Sequence, residues 1–368
     1  MNANLSERLA QDIRRRGSIG LDEYMRAALS DEREGYYATG NPLGRDFTTA
    51  PEVSQMFGEL AGLWCVDVWT RLGEPAPVSL VELGPGRGSL MLDALRAVAS
   101  ASPAFMSDLE VHLVETSASL QRTQARTLGG VDIPVRWHES VESLPETPML
   151  LIANEFFDAL PIRQFAYTAQ GWRERRVGLA EDDAFTICLG DVAERESRLY
   201  TLVNDPAEGE IVEIRPEAEQ IMRFISGRLS KHSGAALLVD YGSGMRPSGD
   251  SLSALGRDGF VEALADPGAV DLSAWVDFGA LARVVDDVDV FGPIPQGSFL
   301  RRLGIVERAE RLRVHADETQ AREISTALSR LIEPEGMGVL FKVMALVSRD
   351  LQTEPAGFLD AERFKGDA

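Results

Sequence analysis

Apolar positions recur at helical spacing over residues 5 to 30. "SERLAQDIRRR" is amphipathic, and "GLDEYMRAALS" sets Leu21, Met25, Ala28 and Leu29 on one face. A polar, glycine-rich and aromatic stretch, "DEREGYYATGNPLGRDFTTAPEVSQ", then reads as a long loop, and long loops in compact chains are often functional. Val53, Met56, Phe57, Leu60, Leu63 and Trp64 predict one long helix over "APEVSQMFGELAGLWCVDVWTRLG", with Pro51 in its first turn.

After "EPAP" the pattern changes to short apolar runs alternating with amphipathic ones. "VSLVELG" predicts a strand, "GSLMLDALRAVASA" a helix, "DLEVHLVETS" a strand and "ASLQRTQARTL" a helix. "PVRWHES" predicts a weaker strand, and "PMLLIANEFFDALP" a fourth that runs into a loop. This alternation is that of a parallel sheet covered on both faces. "IRQFAYTAQGWRERRVGL" reads as a hairpin, "PEAEQIMRFISGRLSKHSG" as a helix ending near Gly234, and "GAALLVDYGSG" as another strand. Residues 245 to 270 form a Gly- and Asp-rich excursion. "DLSAWVDFGALARVV" predicts a helix with Asp271 as N-cap, "QGSFLRRLGIVERAERL" a helix, and "GVLFKVMALVSRD" a late apolar strand.

Composition narrows the class. Of 368 residues, 44% are hydrophobic and 26% charged, as in soluble globular chains. Asp and Glu number 58 against 37 Lys and Arg, a net charge of -21 that repels nucleic acid and anionic membranes; it serves solubility first and would also favour the approach of a basic partner. Cys65 and Cys188 lie in apolar surroundings without a CxxC pair, and the 4 histidines lack ligand spacing, so no metal site is expected. The N-terminus carries no signal-like apolar core and no run is long enough for a spanning helix; a cytoplasmic location is the expectation.

The chemistry is carried by "VELGPGRG". Gly84, Gly86 and Gly88 form a strand-to-helix turn on which a ligand can approach bare backbone, tighter by one residue than a dinucleotide turn. Glu82, inside the strand, is wrong for a pyrophosphate and right for a ligand bearing an ammonium group. "VHLVETS" ends in Glu115, where an acid holds ribose hydroxyls. Together these predict S-adenosylmethionine (SAM) rather than a nicotinamide cofactor. "ANEFFDALP" follows the fourth strand and places Asn154, Glu155 and Asp158 beyond the strand ends, where a reaction centre lies. A carboxylate there can pair with a guanidinium and take up its proton, Glu155 first and Asp158 second; Asp158 could equally begin the turn before Pro161. Phe156 and Phe157 either wall the pocket or belong to the core. Thr49 fits a helix cap better than a ligand contact.

The stretches "GRDFTTAPEVSQMFGELAGLW", "VELGPGRGSLM", "NEFFDALPIRQF" and "GVLFKVMAL", together with "LLVDYG", "PGAVDLSAWVDF" and "QGSFLRRLGI", closely resemble the MidA-like family of SAM-dependent methyltransferases, in order from Ser18 to Arg349. The resemblance implies an α/β fold: a Rossmann-like methyltransferase core over 76–350 with insertions at about 162–232 and 244–300, N-terminal helices and a cofactor-covering loop over 1–75, and a tail over 351–368. It implies cofactor contacts from Asp46, Thr48, Thr49, Glu52, Glu82, Gly84, Pro85, Gly86, Gly88, Glu115 and Asn154, with Asp240, Tyr241 and Gln296 on the substrate side. The family's mitochondrial branch is associated with protein arginine methylation. The expected acceptor is therefore a protein arginine; the alternatives are a small-molecule O- or N-acceptor, and a SAM-binding assembly factor without catalysis. A homodimer is compatible with the pattern. The segment "SGMRPSGDSLSALGRDGFVEALAD" departs from the more basic and aromatic stretch of relatives, which bears on the acceptor and not on SAM.

Overall fold

The computed structural model describes residues 3–38, 49–193, 199, 202–245 and 249–365. The chain divides into two compact units. One comprises Thr48–Phe157, Glu219–Met245 and Val276–Ala368; the other comprises Met1–Phe47, Asp158–Ala218 and Arg246–Trp275.

The first unit is built on a sheet that contains the expected strands and one that the apolar pattern did not predict, Val288–Pro295. Its strands are β1 (Val78–Leu83), β2 (Leu109–Val114), β3 (Val135–His138), β4 (Met149–Asn154), β5 (Gly234–Ser243), β6 (Val288–Pro295) and β7 (Phe341–Ser348). They lie in the order β6-β7-β5-β4-β1-β2-β3, and the short strand Val276–Asp277 pairs with the end of β5. β3, β2, β1, β4 and β5 run parallel, while β7 is antiparallel to both β5 and β6. The chain builds outward from β1 to β3, then returns to lay β4 on the other side of β1. Such a reversal opens a crevice at the carboxyl ends of β1 and β4.

The β1 run from Val78 to Leu83 is buried at every position, as strands covered on both faces must be. On one face Leu80, Val111, Leu113, Leu150, Ile152, Leu237 and Val239 join a core with Met56, Leu60, Trp64, Leu90 and Ala94. Helix Gln55–Arg71 presses on helix Ser89–Ala101 through two glycines one turn apart. A Cβ on Gly58 would lie 2.9 Å from the Leu90 carbonyl oxygen, and one on Gly62 would lie 2.7 Å from that of Ala94.

Three sequence expectations are corrected. The long helix begun by Pro51 is two helices, Ala50–Val53 and Gln55–Arg71, because Ser54 is extended (φ -164°) and its hydroxyl accepts the Met56 N–H at 3.2 Å. Asp271 caps no helix: it opens the short strand Asp271–Ser273, and helix Phe278–Arg283 is capped by Asp277, whose Oδ1 accepts the Ala280 N–H at 2.8 Å. The helix of "QGSFLRRLGIVERAERL" breaks at Gly304 (φ 88°) into Gln296–Arg302 and Ile305–Arg313.

The second unit holds a five-stranded sheet. Arg163–Thr168 and Gly171–Leu179 form the expected hairpin, extended by Ile19–Gly20, Ile211–Ile214 and Phe185–Val192. A three-stranded sheet, Gly259–Val261, Ser253–Gly256 and Asp271–Ser273, occupies the Gly- and Asp-rich stretch. The N-terminal helices Leu5–Arg16 and Leu21–Ser30 bury Leu9, Ile13, Tyr24 and Met25 against Ile162, Val177 and Leu272.

The helix crossing gives a paired test. Gly62→Ala is expected to destabilise by about 1–3 kcal/mol, because backbone and not a side-chain tip blocks the methyl. Gly227→Ala lies on helix Pro216–His232, where a Cβ meets nothing within 4 Å, and is expected to stabilise by about 0.5–1 kcal/mol. Denaturant midpoints should move in opposite directions.

Candidate active site

The turn after β1 needs its glycines. Gly84, Gly86 and Gly88 all adopt positive φ, at 59°, 53° and 81°, a region unfavourable to residues with a Cβ. At Gly84 the Phe156 ring closes the space as well: a Cβ would lie 2.9 Å from its Cδ2. Gly88 is the N-cap of helix Ser89–Ala101 and supplies no side-chain cap, so the helix N-terminus is left to backbone and ligand. Phe157 is buried in the fold, whereas Phe156 is half-buried beside the turn.

Glu82 is buried next to this turn, 3% exposed, and its Oε2 has no hydrogen-bond partner among the described residues. Burial pushes its pKa up to about 8. The register pairs Glu82 with Ile152, so Asn154, two residues further along β4, projects from the same face. Asn154 Oδ1 is also buried without a partner among the described residues, while its Nδ2 donates to Glu155 Oε1 at 3.1 Å. Two acceptors without donors, one of them a carboxyl, sit at the ends of adjacent strands. A ligand with an ammonium group supplies the missing donors and the missing charge.

Glu115 lies just past β2. Its Oε1 accepts the Ser117 N–H at 2.8 Å and its Oε2 accepts from Gln124 Nε2 at 3.0 Å; burial raises its pKa and these bonds oppose the rise. Gln124 itself was not singled out from the sequence, although a signal was there. It lies four residues after Leu120 and four before Leu128, on the apolar stripe of its helix, and it is fully buried.

The segment after β4 is held in place by several bonds. Glu155 is a non-glycine residue at φ 50°, and its Oε1 accepts the Ala50 N–H at 3.0 Å. Thr49 stands at the N-cap position of Ala50–Val53 but makes no side-chain capping bond; the Glu155 carboxylate reaches that helix start instead. Glu52 is half-buried, with Oε2 unpartnered among the described residues and Oε1 3.7 Å from Arg87 Nε of the glycine turn. Burial raises the Glu52 pKa and Arg87 opposes it. Asp240, at the same end of β5, accepts the Phe157 N–H (3.0 Å) and the Tyr241 N–H (2.8 Å), so its carboxylate fixes the backbone after β4.

The structure therefore gathers Glu82, Gly84, Pro85, Gly86, Gly88, Glu115, Asn154, Glu155 and Asp240 at the carboxyl ends of β1, β2, β4 and β5. Tyr241 follows on β5 with its ring 6.0 Å from that of Phe341. Gln296 stands apart: it begins the helix after β6, four strand spacings from β1, or about 19 Å. It is fully buried, and its Nε2 donates to the Leu331 carbonyl at 2.9 Å. Asp158 belongs to the other unit, where burial pushes its pKa up to about 6 against the opposing charge of Arg215. Asp46 and Thr48 lie outside the described residues. Among the described residues no group of three or more His, Cys, Asp or Glu is arranged to hold a metal.

The state of Glu82 has a measurable signature. Its folded pKa of about 8 lies above the 4.5 of a free carboxyl, so the folded protein keeps a proton that the unfolded chain gives up. Stability is expected to fall as pH rises through that window. Glu82→Gln should match the parent near the lower limit and exceed it in melting temperature above the upper one.

A family model for S-adenosyl-L-methionine-dependent methyltransferases matches residues 60–294. Protein arginine methyltransferase NDUFAF7, mitochondrial, of Danio rerio is 34% identical over 95% of this chain and 88% of its own. The Drosophila melanogaster protein named as its homolog, also mitochondrial, is 32% identical over 94% and 85%. A crystal structure of a COG1565 superfamily member from Burkholderia thailandensis bound to S-adenosyl-homocysteine is 27% identical, with a TM-score of 0.84 over 98% of this chain and 96% of that one. The expected cytoplasmic location is overturned by these relatives, which are named as mitochondrial proteins. The unpartnered oxygens of Glu82 and Asn154 and the three left-handed glycines fit SAM as cofactor. The chain belongs to the MidA-like family of SAM-dependent methyltransferases.

Proposed function

We propose that this methyltransferase acts on arginine side chains of a protein acceptor. The observation that carries the reading is the nearly end-to-end similarity to a protein arginine methyltransferase, 34% identical over 95% of this chain. The net charge of -21 supports it, because its field favours the approach of a basic protein segment.

In this reading Glu82 and Asn154 take the ammonium end of the cofactor, Glu115 takes the ribose hydroxyls, and the turn from Gly84 to Gly88 lies against it, with Thr49 and Glu52 beside. When bound, SAM supplies a methyl group already activated by its sulfonium. The chain's own part is to align the acceptor nitrogen and keep water out. Glu155 pairs with the guanidinium and takes up the proton released on transfer. Asp240 acts at one remove, by fixing the backbone on which Glu155 stands. Tyr241 is placed on the acceptor side.

Two experiments test this. Calorimetric titration should show S-adenosylhomocysteine binding that is lost in Gly86→Asp, with NADH not binding. An ammonium beside Glu82 favours its carboxylate, so binding near pH 7 is expected to release a proton and to tighten as pH rises toward about 8. Titrations in buffers of different ionisation enthalpy read that proton directly.

For transfer, methyl-labelled SAM and a cell extract should place label in protein that yields methylarginine on hydrolysis. Label confined to small molecules would replace the acceptor class; binding without any transfer would favour an assembly factor. Glu155→Gln keeps an oxygen for the Ala50 N–H and removes the charge. It is expected to lower kcat by about a hundredfold with little change in S-adenosylhomocysteine affinity; unchanged turnover would remove Glu155 from the chemistry.

A further inference from the structure

The side chain of Gln124 makes three hydrogen bonds at the cofactor end of the sheet and uses both its amide protons there. Its Nε2 donates to the Gly86 carbonyl at 2.9 Å and to Glu115 Oε2 at 3.0 Å, and its Oε1 accepts from Trp137 Nε1 at 2.9 Å. The orientation of the amide is not ambiguous. An indole N–H can only donate, so Trp137 fixes the oxygen, and both amide protons must then point at Gly86 and Glu115.

We propose that Gln124 is a positioning residue that locks the glycine turn and the Glu115 carboxylate into one preformed nucleoside cradle. Two physical effects follow from its bonds. The donor from Gln124 leaves the rest of the Glu115 carboxylate aimed by the Ser117 N–H and Gln124 together, in one rotamer. Its second donor turns the Gly86 carbonyl toward Gln124. In a trans peptide the following N–H, that of Arg87, then points the opposite way, away from the helix that carries Gln124. A free carboxylate and a free turn would each have to be ordered when ligand binds; the amide orders both beforehand. A glutamate at this position could not replace it: ionised it donates nothing and repels Glu115, and protonated it donates once.

The proposal rests on Glu115 holding the ribose hydroxyls, and the test separates the two. Competition against labelled S-adenosylhomocysteine in equilibrium dialysis would compare adenosine with 2′,3′-dideoxyadenosine. The parent protein is expected to prefer adenosine. Gln124→Met keeps the volume and removes every hydrogen bond. It is expected to weaken S-adenosylhomocysteine by about tenfold and to erase most of the preference for adenosine. KM for SAM should rise while kcat at saturation stays within about twofold. Parallel loss for both nucleosides, or an intact preference, would overturn the proposal.

Glu115→Gln serves as the reference. If it keeps the preference, the ribose reading of Glu115 fails and the cradle falls with it. If it loses the preference and Gln124→Met does not, the cradle alone fails. Should Gln124→Met not fold, Trp137→Phe asks the same question, because it frees the amide to turn over; a preference equal to the parent's would count against the proposal.

Discussion

A carboxyl buried at the end of β1, with one oxygen that meets no donor among the described residues, is the constraint around which the site is arranged. Burying an ionisable group is costly, and burial pushes the Glu82 pKa up to about 8, so that the carboxyl holds a proton where a free one would not. Asn154 on the adjacent strand adds a second unsatisfied acceptor, and the turn beside them has no Cβ in its three left-handed positions. A hydrophobic residue in place of Glu82 would suit the buried sheet better.

The sheet and the turn were legible because their signals are local. "VSLVELGPGRGSL" contains a strand, its stop and a helix start within one short stretch, and burial on both faces makes the strands apolar throughout. The antiparallel β7 between β5 and β6 was legible as a strand but not in its place, since pairing partners distant in sequence leave no mark on a single chain. The errors share one cause. The side-chain cap at Thr49, the cap at Asp271 and the unbroken helix over 50–73 were each judged by the nearest residues, and each was decided by something else: Thr49 keeps the N-cap position while the carboxylate of Glu155, from far along the chain, makes the bond; Asp277 caps the helix; and the backbone of Ser54 is extended. Gln124 was passed over because an amide on a helix reads as surface unless the stripe it interrupts is followed to Leu120 and Leu128.

The chain order of the two units has its own logic. The sheet is left after β4 and again after β5, and those two departures supply the Asp158–Ala218 and Arg246–Trp275 segments that combine with the N-terminal helices. Each unit has apolar core of its own among the described residues. Insertions at strand ends leave the registers of the sheet untouched, which is why a long elaboration can coexist with an ordinary methyltransferase core.

Glu155 carries a further consequence. It holds a left-handed backbone conformation that a glycine would adopt without strain, and the strained alternative costs on the order of 1–3 kcal/mol. The backbone alone would favour glycine there, but a glycine would lose the carboxylate that accepts the Ala50 N–H. The glutamate thus sets the strain of its own backbone against a bond that ties the segment after β4 to the start of helix Ala50–Val53.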